Sequence, residues 1–322
     1  MDFPFAGQKV LVTGGAGFIG SHVADRLVHE GCEVHVLDDL SSGREENVPD
    51  GAKLHVLDVR SDDVEGLFER ERFAALCHLA AQMDVRRSVA DPLFDADVNV
   101  KGLLNLMEAG RQTGLQKVAF ASTGGAIYGE PDPSVNGGAS QPESHPTQPM
   151  SPYGITKLVS EHYLRFYEQT HGIPYAALRF GNVYGPRQNP HGEAGVVAIF
   201  SERLLRGEPV TINGEGTQTR DYVYVGDVVR AFVAALARPE SGIFNVGTGV
   251  ETDVNDLFRH INDFTGGAAE EAHGPAKPGE QQRSVLDTTR AQETLGWSPE
   301  VSVRDGLEKT VDWFRQREAE TA

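Results

Sequence analysis

Short apolar runs recur through the first half of the chain: KVLVTG (9–14), EVHVLDD (33–39), LHVLD (54–58), ALCHLA (75–80), KVAFAS (117–122) and YAALRF (175–180). Each is short and close to continuously apolar, as a buried strand should be. Between several of them the apolar positions switch to helical spacing. In SHVADRLVHEG (21–31), Val23, Leu27 and Val28 share a face and Gly31 supplies a stop. DADVNVKGLLNLMEAGRQTG (95–114) and YGITKLVSEHYLRFYEQTHG (153–172) read as two further helices. Strand and helix in alternation predict βαβ units and a parallel sheet over residues 7–180.

Beyond 180 the pattern changes. GPRQNPHGEAG (185–195) and TINGEGTQTRDY (211–222) are long, polar and glycine-rich. Periodic segments flank them, so they read as ligand-facing loops. VGDVVRAFVAALARP (225–239) reads as a helix, and LGWSP (295–299) with VRDGLEKTVDWFRQRE (303–318) as a C-terminal helical unit. The Pro-, Ser- and Gly-rich stretch 131–152 reads as a loop bordering a site.

Composition narrows the function classes. The 322 residues are 39% hydrophobic, enough for one large or two modest domains. A net charge of −18 argues against a nucleic-acid partner, which needs a basic face. No apolar run approaches the roughly 20 residues of a membrane span. The N-terminus has no basic start followed by an apolar stretch. Cys32 and Cys77 are too few for a disulfide framework and read as small buried hydrophobes. The expectation is a cytoplasmic protein with no membrane partner and no metal.

LVTGGAGFIG (11–20) sits between the first strand and the first helix. With 36 glycines in the chain, a glycine pattern alone is weak, and this one fits two spacings, through Gly15 or through Gly14. Its context is stronger. A glycine turn opening a helix after a strand is where a dinucleotide pyrophosphate binds, on backbone N–H groups. An acid at the end of the second strand should hold the adenosine ribose hydroxyls, and Asp38 stands there. A carboxylate repels a 2′-phosphate, so NAD is expected over NADP. Downstream, Tyr153 and Lys157 are spaced Y-x-x-x-K, which places them on one helical face. An ammonium beside an oxidised nicotinamide favours the phenolate and makes Tyr153 a usable base.

These motifs, over nearly the whole chain, resemble the extended short-chain dehydrogenase/reductase family. TGGAGFIG resembles its T-G-x-x-G-x-x-G turn, which selects Gly14, Gly17 and Gly20. The resemblance implies a Rossmann-type doubly wound parallel sheet (1–180, with a returning segment at 221–248). It also implies a smaller nucleotide-sugar-binding domain (181–220 and 249–322). For the cofactor it implies Gly14, Gly17, Phe18, Ile19, Gly20, Asp38, Asp39, Asp58, Val59, Leu79, Ala80, Ala81, Gln82, Asn99, Ser122, Tyr153, Lys157 and Gly181. Within the family the chain most resembles the UDP-glucose 4-epimerases that carry GGAIYG. These act by transient oxidation at the sugar C4, with Tyr153 as base and Lys157 holding the nicotinamide ribose. The UDP-sugar would be anchored by Asn182, Arg220, Lys277 and Arg283, with Tyr153 also at the sugar.

Two departures stand out. KPGEQQR has Lys277 and Glu280 where the family has Arg and Asp; Lys carries charge but no bidentate fork, so Arg283 is expected to take more of the diphosphate load. Gly124 occupies the place of a Ser or Thr that bonds the reacting sugar oxygen. Thr123, Ser122 or no hydroxyl takes that role, Thr123 being the expected one. Ser284 falls beside the sugar 2-position, where a small residue leaves room for N-acetyl and so for UDP-GlcNAc. A glucuronate epimerase or decarboxylase, with Arg187 at the carboxylate, is an alternative, as is a non-catalytic NAD(H) sensor. Dimerisation through the helices around 95–112 and 153–170 is implied by the resemblance.

Overall fold

The structure is a computed structural model that describes residues 3–191, 195–276 and 281–321. All six apolar runs are strands: β1 (Lys9–Thr13), β2 (Glu33–Asp38), β3 (Lys53–Val56), β4 (Ala75–His78), β5 (Lys117–Thr123) and β6 (Tyr175–Phe180). Beyond them lie β7 (Asn182–Tyr184), β8 (Ile212–Asn213), β9 (Thr219–Tyr224), β10 (Gly242–Val246), β11 (Glu251–Asp253) and β12 (His273–Gly274). The large sheet is parallel throughout, in the order β10-β6-β5-β4-β1-β2-β3. The order reverses between β1 and β4, and that switch point is where such sheets open a ligand crevice at their carboxyl edge.

The sheet separates two apolar layers, as the continuous strand pattern requires. One packs Val23, Ala24 and Leu27 of α1 (Phe18–His29) with Val228 and Phe232 of the helix Val225–Ala237. The other packs Val64, Leu67 and Phe68 of α2 (Asp63–Glu71) with Leu103, Leu106, Leu164 and Tyr167 from the helices Gly102–Thr113 and Pro152–His171. A third core, around Phe200, Leu204, Tyr222, Leu257, Ile261, Leu307 and Val311, belongs to a smaller unit. Its sheet, β11-β9-β7, pairs β9 antiparallel to β11 and parallel to β7.

Two sequence expectations change. Thr219–Tyr222, read as the end of a polar loop, belongs to the strand Thr219–Tyr224. GIFNV, not read as a strand, is β10 and closes one edge of the large sheet. Both cysteines are free and buried, and burial pushes the Cys32 thiol up to about 11 and Cys77 higher still. That keeps both protonated and unreactive. Among the described residues no helix is long and apolar enough to cross a membrane, and no group of His, Cys, Asp or Glu could hold a metal ion.

Candidate active site

The glycine turn is shaped by close approach. Gly14 has φ +69, and a Cβ there would stand 2.7 Å from the Ala80 nitrogen. A Cβ on Gly20 would collide with the Gly14 carbonyl, so the first turn of α1 can press against the loop only as glycine. The helix starts at Phe18 with Gly17 as N-cap, and no side chain caps it. Its first amides, on Phe18, Ile19 and Gly20, are the orphan donors that a pyrophosphate takes up. Asp38 ends β2 and ties the turn down, accepting from the amides of Ala16 (3.0 Å) and Leu40 (2.9 Å). Asp39 is held locally by Ser41 (2.6 Å). A cradle that a Cβ would fill, an uncapped helix end and an acid at the second strand together fit a dinucleotide.

Other expected cofactor residues have committed side chains. Asp58 is forked by Arg60, whose nitrogens lie 2.6–3.1 Å from its oxygens, and Arg60 reaches on to Asp97 (2.8 Å). Val59 packs in the core against Gly102, leaving only its backbone for a ligand. The amides of Leu79 and Ala80 donate to Thr13 Oγ1 (3.2 and 3.3 Å), which fixes the strand end. Ala81 follows at the half-buried rim and Gln82 is buried. Asn99 is buried. Its amide clamps the Gln82 backbone in both directions (2.8 and 3.0 Å) and meets Asp95 and Thr156. It sits in a π-turn, Asp97–Lys101, which rotates it inward. Asn99 therefore braces the Gln82 backbone. Gly181 lies against β9, where a Cβ would stand 2.5 Å from the Asp221 carbonyl.

Tyr153 and Lys157 enter on the first turns of the helix Pro152–His171. Pro152 opens it, Ser151 caps it by accepting from the Gly154 amide (3.2 Å), and Gly172 ends it at φ +68. Gly154 lets this helix sit on the Ala126 carbonyl of the short turn Gly124–Ile127. That brings Tyr153 beside the end of β5. Lys157 is 3% exposed; its ammonium donates to the Ala121 carbonyl (2.8 Å) and lies over the Phe120 ring. Burial lowers it to about 8, against the pull of Asp95 and Glu161. Burial pushes the Tyr153 phenol above its usual range, with Asp95 adding to it. The expectation that the ammonium depresses this phenol is thus not met by the protein alone: Nζ stays 5.9 Å from the ring centroid, and desolvation dominates.

The two hydroxyls upstream of Gly124 have different surroundings. Ser122 points into the core and donates to Glu161 Oε1 (2.5 Å). Glu161 is also forked by Arg179 (2.6 and 2.9 Å), both side chains being 2% exposed. Thr123 Oγ1 caps the Gly124–Ile127 turn by accepting from the Ala126 amide (3.2 Å), so its proton remains for a further acceptor.

On the substrate side Asn182 is exposed and lies close to Gly125, while Arg220 donates to the Thr219 carbonyl (2.8 Å). Arg283 is engaged by groups of the protein. It grips Glu251 through Nε (2.8 Å) and Nη2, and its other donors go to the carbonyls of Gly138 and Ala139. It therefore straps the 131–152 loop to β11. Ser284 is buried beside Thr219 (3.2 Å, backbone). Lys277 lies outside the described residues. Arg187 pairs with Asp25 of α1 (2.6 Å). Sequence reasoning missed Asp95, Thr156, Glu161, Arg179 and Glu251. Only Glu161 left a signal, four residues after Lys157 on the same face.

The comparisons accord with this geometry. Residues 10–247 match the model of the NAD dependent epimerase/dehydratase family. The chain belongs to that family. It is an enzyme of the extended short-chain dehydrogenase/reductase type, and the cofactor of the family is NAD. The UDP-glucose 4-epimerase of Mycolicibacterium smegmatis is 46% identical over 316 residues, covering 96% of this chain and 99% of that protein. Among solved structures, the UDP-glucose 4-epimerase of Thermotoga maritima with UDP-glucose superposes with a TM-score of 0.91 at 46% identity, over 96% of this chain and 99% of that one. The Thermus thermophilus UDP-glucose 4-epimerase complex with NAD gives 0.88, also at 46%, over 95% and 99%.

Proposed function

We propose that this chain interconverts UDP-glucose and UDP-galactose by NAD-dependent epimerisation at C4. The observation that carries the reading is the pairing of Tyr153 with a buried Lys157 at the carboxyl edge of the sheet that also forms the uncapped glycine cradle. The Gly14–Gly20 turn and Asp38 would hold NAD. When bound, NAD⁺ supplies a positive ring and takes up and returns the C4 hydride. Tyr153 moves the proton of the sugar 4-oxygen. Lys157, braced on Ala121, orients the ribose end of the site and keeps positive charge beneath the phenol. Thr123 hydrogen-bonds the reacting oxygen, with Ser122 withdrawn to Glu161. Asn182, Arg220 and Lys277 anchor the UDP, and buried Ser284 leaves space at the sugar 2-position.

The proposed division of labour gives residues 1–180 with a return at about 221–248 to the cofactor and 181–220 with 249–322 to the nucleotide sugar, although β9 to Tyr224 pairs within the small sheet and Ala291, Leu295 and Trp297 pack in the core of the large one. The glucuronate alternatives lose their support, because Arg187 is committed to Asp25. The deciding assay incubates the protein with UDP-galactose, and separately with UDP-GlcNAc, and resolves the epimers formed. UDP-glucose and UDP-GalNAc are the expected products. If neither appears even with NAD supplied, the reading fails; turnover of UDP-galactose alone removes the role given to Ser284. Within the site, Thr123→Val is expected to lower kcat by about 10²-fold, as loss of one preorganised donor does. Ser122→Ala is expected to act chiefly on stability.

A homodimer is part of the proposal. Ile155, Tyr163 and Phe166 stand out from the helix Pro152–His171, with Val89 and Leu93 nearby in sequence to the other expected helix. Sedimentation at twice the chain mass is the expected result, and monomers at micromolar concentration would rule it out.

A further inference from the structure

We infer that Leu286 is a positioning residue for this reaction: it occupies the space of a side chain at position 124 and so decides which hydroxyl at the end of β5 serves the sugar. The inference rests on the reading of Thr123 given above and goes beyond it, because Leu286 belongs to the substrate segment and not to the catalytic turn.

A Cβ built on Gly124 would stand 2.7 and 2.9 Å from the two Leu286 methyls and 3.2 Å from the Phe180 carbonyl. Contacts under 3.0 Å force something to move. Leu286 is fully buried and its backbone is pinned. Its amide donates to Asp221 Oδ2 (3.2 Å). On either side, the Gln141 amide donates to the Val285 carbonyl (2.9 Å) and the Asp287 amide to the Gln141 carbonyl (3.0 Å). Asp221 is itself fixed, accepting from Thr248 N–H (2.6 Å), Thr248 Oγ1 (2.7 Å) and Gly249 N–H (3.0 Å). Leu286 therefore cannot retreat as a segment; only its side chain can yield.

On the other side of the contact is the turn Gly124–Ile127, capped by Thr123 and pressed under the Tyr153 helix at Gly154. The segment 281–287, carrying Arg283 and Ser284, thus meets the catalytic turn at Gly124. With position 124 closed by Leu286 and Ser122 drawn to Glu161, Thr123 is left to face the sugar. A residue larger than glycine at 124 must push the Leu286 side chain aside or displace the turn against the Phe180 carbonyl, and a 1 Å misplacement at a reacting centre costs about 10²-fold in rate.

The test uses the full chain with Gly124→Ser, Leu286→Ala and the pair, each with and without Thr123→Val. The readouts are kcat and KM for UDP-galactose and the melting temperature. Gly124→Ser alone is expected to lose about 10²-fold in kcat by that displacement. Adding Leu286→Ala should restore activity to within about tenfold of the parent, since the removed methyls make room for the introduced hydroxymethyl group. In that pair Thr123→Val should cost little, because the hydroxyl introduced at position 124 now serves the sugar. A merely structural Leu286 would not transfer the need for a hydroxyl from one residue to another. Full activity of Gly124→Ser alone overturns the inference. So does a pair no better than the product of its single effects, or a rescued pair that still requires Thr123. Should Leu286→Ala melt below the assay temperature, Leu286→Val takes its place. If Thr123→Val is silent in the parent, the reading of Thr123 fails, a result separate from the Gly124→Ser rates.

Discussion

Tyr153→Phe should lower epimerisation by about 10²–10⁴-fold, the range contributed by a positioned acid–base group. The folded protein should barely notice. Among the described residues no hydrogen bond involves the Tyr153 hydroxyl, and the helix start is fixed by Ser151, Pro152 and Gly154 instead. An unchanged melting temperature with a collapsed kcat is the expected pair of results. Because NAD would be held by the glycine turn and Asp38, retention of the cofactor on purification should also persist. An activity loss accompanied by lost cofactor would instead assign Tyr153 to binding. If Tyr153→Phe turns over at the parent rate, the phenol is not the proton carrier and the catalytic reading falls.

Arg179→Met should destabilise the fold by about 3–5 kcal/mol, the cost of stranding one member of a buried ion pair. Glu161 is 2% exposed, so its carboxylate cannot recover the loss from water. It would keep only the Ser122 hydroxyl, at 2.5 Å. Replacing both partners, as Glu161→Leu with Arg179→Met, should return most of the stability, since well-packed apolar groups often match a buried pair. Urea unfolding midpoints measure both. A single variant costing under about 1 kcal/mol, the scale of an exposed pair, would show that the bridge is not what secures β6 to the Tyr153 helix.

What could be read beforehand followed a physical divide. The six strands and the main helices were visible because apolar residues repeat at fixed periods whatever lies around them. The cofactor turn was visible because backbone shape demands glycine locally, as at Gly14 and Gly20. The buried charges were not. Arg179 lies inside YAALRF, and Asp221 inside what looked like a polar loop. Each is held by partners distant in sequence: Glu161 for Nε and Nη2 of Arg179, and the amides of Thr248, Gly249 and Leu286 for Asp221. The partner of Arg283 was hidden for the same reason: nothing along the chain announces that Glu251 will meet it.

The Asp221 carboxylate has a mechanical meaning. It sits on the small sheet, yet it is fastened to the turn leaving β10 and to the segment that reaches Gly124. Two halves riveted through one buried acid open poorly by swinging apart. Traffic of sugar nucleotides would then pass through the peripheral strap at Arg283 and the 131–152 loop, while the floor of the crevice stays put. Such a floor lets one ligand come and go many times over the residence of another, which suits a reaction that consumes none of its oxidant.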